Sequence, residues 1–424
     1  MKRALVLAGG GSKGAYEAGF VKALHELGID YQIVTGTSIG ALNGCLIAQQ
    51  DLDALFHLWD VMDINTVFAG EFPKDGEIDL DTMLNQSHLV VSFFKKYMKE
   101  KGADITPLKH LIKGLLKTDQ LLQSPIDFGL CTVHYPSLKP LFITKEEMEK
   151  ESIFDYLISS ASCFPVFPIH TFNNQSFIDG GYYDNLPIDL ALDMGADEVI
   201  VVDMKTEPTH PYYYQRPYFT YTMPYLDLGG FMDFSRKSLE RNQRIGYQTA
   251  MKYFGGYLGS KYTFKKFETP LFHDYYQDVL YYERRMRRIL RNDTSRLYDL
   301  FLESHRQIPL DEKDYLYIVL DWIAELVERD PTYVYDFELL SQDLLEDFDQ
   351  YIQSTFQTKM FQFSTDNLKN LLKDVNKKGL VGRLLHQMLY PHDNQIDIDT
   401  ALTIFPKEVM MARFLFMLYH LKTL

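Results

Sequence analysis

A serine stands between two glycines at Gly36-Thr37-Ser38-Ile39-Gly40, after a short apolar run and before a stretch of small residues. A serine hydroxyl attacks a carbonyl only when a base takes its proton and donors stabilise the oxyanion that forms. G-x-S-x-G between a strand and a helix is the setting of a nucleophile elbow, whose tight turn strains the serine backbone and leaves no room for flanking side chains. The N–H of Ile39 then faces the developing oxyanion. Gly9-Gly10-Gly11-Ser12-Lys13-Gly14 also joins an apolar run to a helical pattern. Its backbone can approach a ligand closely, and the helix after it turns free N–H groups and a positive end toward the same place. Such a loop suits an anion, whether a nucleotide phosphate or an oxyanion. Asp179-Gly180-Gly181 ends a further strand-like run. Aspartate is a feeble base at its usual pKa of about 3.9, but desolvation in a closed apolar site raises its proton affinity. Gly180 and Gly181 would let that carboxylate sit close to the serine.

Other readings of the same residues compete. Gly9-x-Gly11-x-x-Gly14 satisfies the dinucleotide fingerprint. That fingerprint requires an acidic residue ending the second strand, where this chain has Thr35-Gly36-Thr37-Ser38 and places Asp30 before the strand. A helix N-cap accounts for Ser38 but not for the glycines around it. Asp179-Gly180 also suits an ordinary turn. A Ser-His-Asp triad needs a histidine; His134 and His170 precede the acid, and His210 lies in a connector. A Ser-Asp dyad is favoured.

The elements that must position these groups are strand–turn–helix, twice. Residues 4–8 read as a buried strand and 15–27 as a helix; Tyr31–Thr35 and residues 39–49 repeat the pattern. Residues 51–125 read as mainly helical, anchored by Trp59, Leu80–Leu84 and Leu108–Leu116; the part around 63–125 either covers a bound ligand or simply packs. Strand patterns return at 128–133, 141–144 and 199–202, and 167–172, Asn173-Asn174 and 175–178 read as a hairpin leading into Asp179. Composition shifts after Met204: residues 207–225 are rich in Pro and Tyr, and the pattern from about 228 onward is helical. The expected division is therefore 1–205 and 206–424. Val409–Leu421 is too short and too charged for a membrane span and reads as a core helix. Arg284–Arg291 is the most basic stretch; it reads first as a solvated helix face and second as a headgroup patch.

Size and charge set outer limits. The chain has 424 residues, 46% hydrophobic and 24% charged, with a net charge of −15. Two globular units fit that length, and the acidity excludes nucleic acid as a partner. It also argues against strong attraction of the whole molecule to anionic membranes, leaving room for transient local contact. Cys45, Cys131 and Cys163 lie far apart without metal-ligand spacing, and the start of the chain lacks a signal-peptide core, so a reduced, cytoplasmic setting is expected. No cofactor, calcium or zinc spacing appears, which predicts a metal-free, calcium-independent protein.

Taken in order, GGGSKG, GTSIG and DGG, with SASCFPVFP before the last and DNLP after it, resemble the patatin-like phospholipase family, which includes plant patatin and the cytosolic phospholipases A. The resemblance covers about residues 4–204. It implies a three-layer α/β/α sandwich with a mainly parallel sheet, followed here by a mainly helical C-terminal region. It implies a serine acyl hydrolase acting on lipid or phospholipid esters through an acyl-enzyme. By motif, Ser38 is the nucleophile and Asp179 the base. Gly9, Gly10, Gly11 and Lys13, with Ile39, form the oxyanion site, and Gly14, Gly36, Gly40, Gly180 and Gly181 support it. Lys13 stands where many relatives carry Arg, and Gly181 where plant members have Ala. Two alternatives remain: a catalytically silent interaction protein on this scaffold, and a lipase switched on through its C-terminal half. The preferred lipid and the oligomeric state are left open.

Overall fold

The computed structural model describes residues 1–70, 102–291, 296–304, 310–356, 376–391 and 396–422; the expected anchor Leu80–Leu84 lies outside them. Two compact units result, Met1–Phe254 and Gly255–Leu424, each with its own apolar core.

The first unit is built on an eight-stranded sheet: β1 (Arg3–Leu7), β2 (Ile33–Thr37), β3 (Asp127–Tyr135), β4 (Pro140–Thr144), β5 (His170–Phe172), β6 (Gln175–Asp179), β7 (Glu198–Val202) and β8 (Phe219–Thr222). Strands β3, β2, β1, β7 and β8 are parallel neighbours in that order. Strands β1 and β7 are apolar in four of their five residues, as burial on both faces demands. Helix α1 (Gly14–Glu26) returns the chain from β1 to β2, and α2 (Ile39–Ala48) leaves β2. Val34 and Phe128 face Gly44 of α2, whereas Gly129 faces Leu190 of the helix Ile188–Asp193. Successive strand residues point to opposite faces, so helices cover both sides. The architecture is the three-layer α/β/α sandwich.

Strand β3 has a feature on which the site depends. Along one edge it pairs with antiparallel β4, from Gly129↔Thr144 to Val133↔Pro140. Its other edge is shared: β2 runs parallel to it as far as Thr37↔Cys131, and antiparallel β6 occupies the next positions, from Tyr135↔Ser176 to Thr132↔Asp179. The C-terminal ends of β2 and β6 therefore meet head to head beside consecutive β3 residues.

The first unit extends about fifty residues beyond the expected boundary near 205. Part of the reason is β8, which lies within the Pro- and Tyr-rich connector. The rest is the helix Arg236–Tyr253, which crosses α1 with almost no gap. A Cβ on Gly19 would stand 1.9 Å from the carbonyl oxygen of Gln243, and one on Gly246 would stand 1.8 Å from that of Tyr16. The second unit is mainly helical, with Tyr275, Leu316, Phe348, Leu384 and Phe414 in its core. Val409 through Ala412, Phe414 and Leu415 are buried there on the helix Pro406–Lys422, which is the core helix read from the sequence. Among the described residues no helix is long and apolar enough to cross a membrane. The basic run lies on the helix Leu271–Leu290, where Arg285 pairs with Asp399 at 2.5 Å and Arg287 with Glu283 at 2.7 Å.

The helix crossing has a direct test. Gly246→Leu must push main chain apart and should cost about 3 kcal/mol, read as a lowered denaturant midpoint. Gly114→Ala, where a Cβ meets nothing within 4 Å, should be neutral or stabilise by roughly 0.5–1 kcal/mol. Equal midpoints for the two variants would contradict the crossing.

Candidate active site

Ser38 turns the chain from β2 into α2 at φ 55° and ψ −124°. A non-glycine residue at such a φ is strained and persists only where its surroundings hold it. Its N–H donates to Ser160 Oγ at 2.9 Å, and the Ser160 hydroxyl donates to the Cys131 carbonyl at 2.7 Å. Thr37 Oγ1 donates to the Asp184 carbonyl at 2.8 Å. The flanks are closed by main chain: a Cβ on Gly36 would lie 2.3 Å from the Gly40 carbonyl oxygen, and one on Gly40 would lie 2.6 Å from that of Ala8.

Asp179 ends β6 opposite this turn. Its Oδ2 accepts from Ser38 Oγ at 2.6 Å and its Oδ1 from the Gly181 N–H at 2.8 Å, while its own N–H donates to the Ser162 carbonyl at 2.9 Å. The residue is 5% exposed. Burial lifts its pKa to about 6, outweighing the hydrogen bonds from Ser38 and Gly181 that favour the carboxylate. Gly180 permits the approach, since a Cβ there would stand 2.2 Å from the Cys131 carbonyl oxygen. Thus residues 141 positions apart form one hydrogen-bonded pair.

The glycine loop faces the pair, but its donors differ from those expected. The amides of Gly10, Gly11 and Ile39 have no partner among the described residues, and all three residues line the cavity beside Ser38. Gly11 has φ 57°, and a Cβ on it would meet the Phe231 carbonyl oxygen at 2.2 Å. The Gly9 N–H, by contrast, donates to the Asn185 carbonyl at 3.0 Å and is no free donor. Gly9 supplies space instead, because a Cβ there would lie 2.4 Å from Asn185 Oδ1 and 3.1 Å from Ser38 Cβ. The Lys13 N–H closes a turn onto the Gly10 carbonyl at 3.2 Å, and Lys13 is not among the residues lining the cavity. Gly14 lets Ile39 and Trp59 close over the start of α1.

Several contributors carry no chemistry that a sequence motif would flag. Asn185 donates from Nδ2 to the Gly9 carbonyl at 2.9 Å and lines the cavity. Ser160 holds the strained serine. Both fall in segments noted in the sequence, SASCFPVFP and DNLP, where their spacing marks nothing by itself. Phe231, Met232 and Phe234 form part of the wall, and the Gly230 and Phe231 carbonyls accept from Ser12 Oγ at 3.0 Å and Ser12 N–H at 2.8 Å. These lie beyond residue 205 and had no signal except the start of a new apolar pattern.

The cavity holds about 330 Å³ and is lined mostly by apolar side chains, among them Leu42, Met62, Val67, Leu108 and Phe167. The segment after residue 62 therefore does reach the cavity in part. Cys163 also lines it, but burial pushes its thiol up to about 12, so it stays protonated. The histidines are elsewhere: His170 Nε2 lies 2.8 Å from Asp155, His210 Nε2 lies 3.6 Å from Asp184, and the His134 ring packs on Phe177. None lines the cavity.

A parallel α/β sheet with a strained serine at the end of one strand, a buried carboxylate on it and free amides opposite defines a serine-hydrolase-like site. The family model for patatin-like phospholipases matches residues 5–192, somewhat under half of the chain. Patatin-like phospholipase domain-containing protein 7 of Rattus norvegicus is 28% identical over 206 residues, 47% of this chain and 13% of that protein. Lysophospholipase nte1 of Aspergillus terreus is 29% identical over 203 residues, 47% of this chain and 12% of that protein. The aligned region is thus about an eighth of those relatives. The crystal structure of VipD from Legionella pneumophila aligns over 97% of this chain and 90% of that one, at 12% identity and a TM-score of 0.40.

If Asp179 serves as the base of an ester hydrolase, its raised pKa sets a pH dependence. A carboxylate accepts a proton only when ionised, so kcat/KM for a soluble nitrophenyl ester should rise about tenfold per unit below pH 6 and level off above about 6. A flat profile from pH 4.5 to 7.5 would contradict Asp179 as the base.

Proposed function

We propose that this chain is a metal-free lipid acyl hydrolase acting through Ser38 and Asp179. The observation that carries this reading is the 2.6 Å hydrogen bond from Ser38 Oγ to a buried carboxylate, facing unpartnered amides across an apolar cavity. Asp179 takes the Ser38 proton as Oγ bonds to the ester carbonyl carbon. The electrons pushed onto the carbonyl oxygen are met by the N–H groups of Gly10, Gly11 and Ile39. Collapse expels the alcohol, which receives the proton from Asp179, and leaves an acyl group on Ser38. The same carboxylate then takes a proton from water, whose oxygen attacks the acyl carbonyl. The fatty acid departs and Ser38 recovers its proton.

Apolar walls favour an acyl chain over a charged group in the inner cavity. The family match and the name lysophospholipase borne by one relative support phospholipids and lysophospholipids as the substrate class. No step requires a metal, so turnover is expected to be unchanged by a chelator. A reduced, cytoplasmic setting remains part of the reading, consistent with the buried thiols of Cys45 and Cys131.

The test pairs labelling with product analysis. A fluorophosphonate should label the protein covalently, and Ser38→Ala should abolish labelling. Incubation with defined phospholipids, lysophospholipids and glycerides should release free fatty acid, identified by mass, and Ser38→Ala should lower that release by roughly 10³-fold or more. Labelling that persists in Ser38→Ala, or no acid released from any lipid, would overturn the proposal.

A further inference from the structure

Strand β3 does not stop where β2 does. Past Cys131, the partner of Thr37, it continues through four residues to Tyr135, which carries it roughly 13 Å beyond the level of Thr37. The β3–β4 turn therefore projects from the same end of the sheet as the candidate site. Large apolar side chains are exposed at this end: Tyr135 is 41%, Leu138 60%, Tyr182 54% and Tyr183 61% exposed. They are linked by contacts. The Tyr135 ring lies 6.3 Å from that of Phe164, whose carbonyl accepts from the Tyr182 hydroxyl, and Tyr183 meets Phe142 edge-on at 6.1 Å. Tyr182 also lines the cavity. Being half in solvent, it marks the opening.

We propose that this rim is a docking surface for the zwitterionic face of a phospholipid aggregate, and that it delivers substrate directly into the cavity. The inference rests on the acyl-hydrolase reading. Tyrosine suits the occupant, with a ring for the acyl boundary and a hydroxyl for the headgroup level. Position suits it as well, because the patch is continuous with the opening through which a lipid must enter. A protein seated there would block the entrance, whereas a lipid surface supplies the substrate. Charge decides the type of surface. Residues 134–143 contain no acidic residue and one lysine, Lys139, while the whole chain carries −15. That balance disfavours anionic membranes and leaves uncharged headgroups.

The experiment uses phosphatidylcholine vesicles and the full chain. Binding is measured by flotation in a Ser38→Ala background, so that no lipid is consumed, and turnover in the Ser38 protein. Tyr135→Asp with Leu138→Asp should weaken vesicle binding about tenfold or more and lower turnover of vesicle lipid equally, leaving a soluble nitrophenyl ester unaffected. Tyr218→Asp, at an exposed position beside the start of β8 and so at the opposite end of the sheet, should change neither. Leu138→Ser repeats the test without added charge. Unchanged vesicle binding in both rim variants, equal losses on vesicle and soluble substrate, or a parent protein that turns over the soluble ester without binding vesicles would overturn the surface while sparing the hydrolase reading. Vesicle binding that depends on the rim in a parent protein with no esterase activity would sustain the surface and reject the hydrolase.

Discussion

Two strands of opposite direction end against consecutive residues on one edge of β3. Thr37 is paired with Cys131 and Asp179 with Thr132. Nothing else in the first unit explains so directly why a hydroxyl and a carboxylate far apart in the chain lie 2.6 Å from each other. Sheet register is specified wherever a face is buried, because a one-residue slip would turn every side chain to the opposite face. The pair therefore inherits its precision from the sheet. Its cost is also set there. A buried carboxylate is disfavoured in its charged form, and among the described residues two donors, Ser38 Oγ and the Gly181 N–H, offset that penalty. The result is a proton affinity well above that of an aspartate in water.

Close approach of main chain to main chain is the second condition. Gly36, Gly40 and Gly180 each lie where a Cβ would meet a carbonyl oxygen within 2.6 Å. These contacts leave the strained Ser38 turn little room to relax, and Ser160 holds its amide from the other side. The glycine loop is held similarly from outside the motif. Ser12 is tied to Gly230 and Phe231, and Gly9 to Asn185 in both directions. The cradle is thus completed by chain well past the segment that the motifs cover, within a first compact unit that runs to Phe254.

How legible this was depended on whether a residue acts through its type or through its surroundings. The alternation of apolar runs and small-residue turns was enough to read strand–turn–helix twice. Asn173-Asn174 marked a hairpin because asparagine tolerates the left-handed region, and both residues adopt it, at φ 48° and 58°. The pairing of Ser38 with Asp179 was readable because few other arrangements demand those types among those glycines. Gly9 and Lys13 were read as donors with their neighbours, since no local rule says which amide of a loop is already spoken for; Asn185, distant in sequence, decides it. Ser160 acts only by holding a backbone N–H, and such a serine resembles any other. The boundary near 205 followed composition, whereas the true association of Arg236–Tyr253 with α1 rests on Gly19 and Gly246, two glycines that local pattern would discount as helix weakeners.

On the proposed mechanism, the absence of histidine from the lining is a consequence of the same strand geometry. An imidazole placed between serine and acid spans the gap that loops usually leave, and a third group must then fix its tautomer and orientation. Here there is no gap to span. The carboxylate arm is short, its second oxygen is fixed by the Gly181 amide, and its backbone is fixed by β3 and by the Ser162 carbonyl. What an imidazole would contribute, a base with proton affinity near neutrality, is supplied by desolvation, which brings Asp179 to about 6. A base so matched gains little from a relay. Dryness and contact are therefore one requirement: widening the space between β2 and β6 would admit water, lower the proton affinity of Asp179 and lengthen its hydrogen bond to Ser38 together.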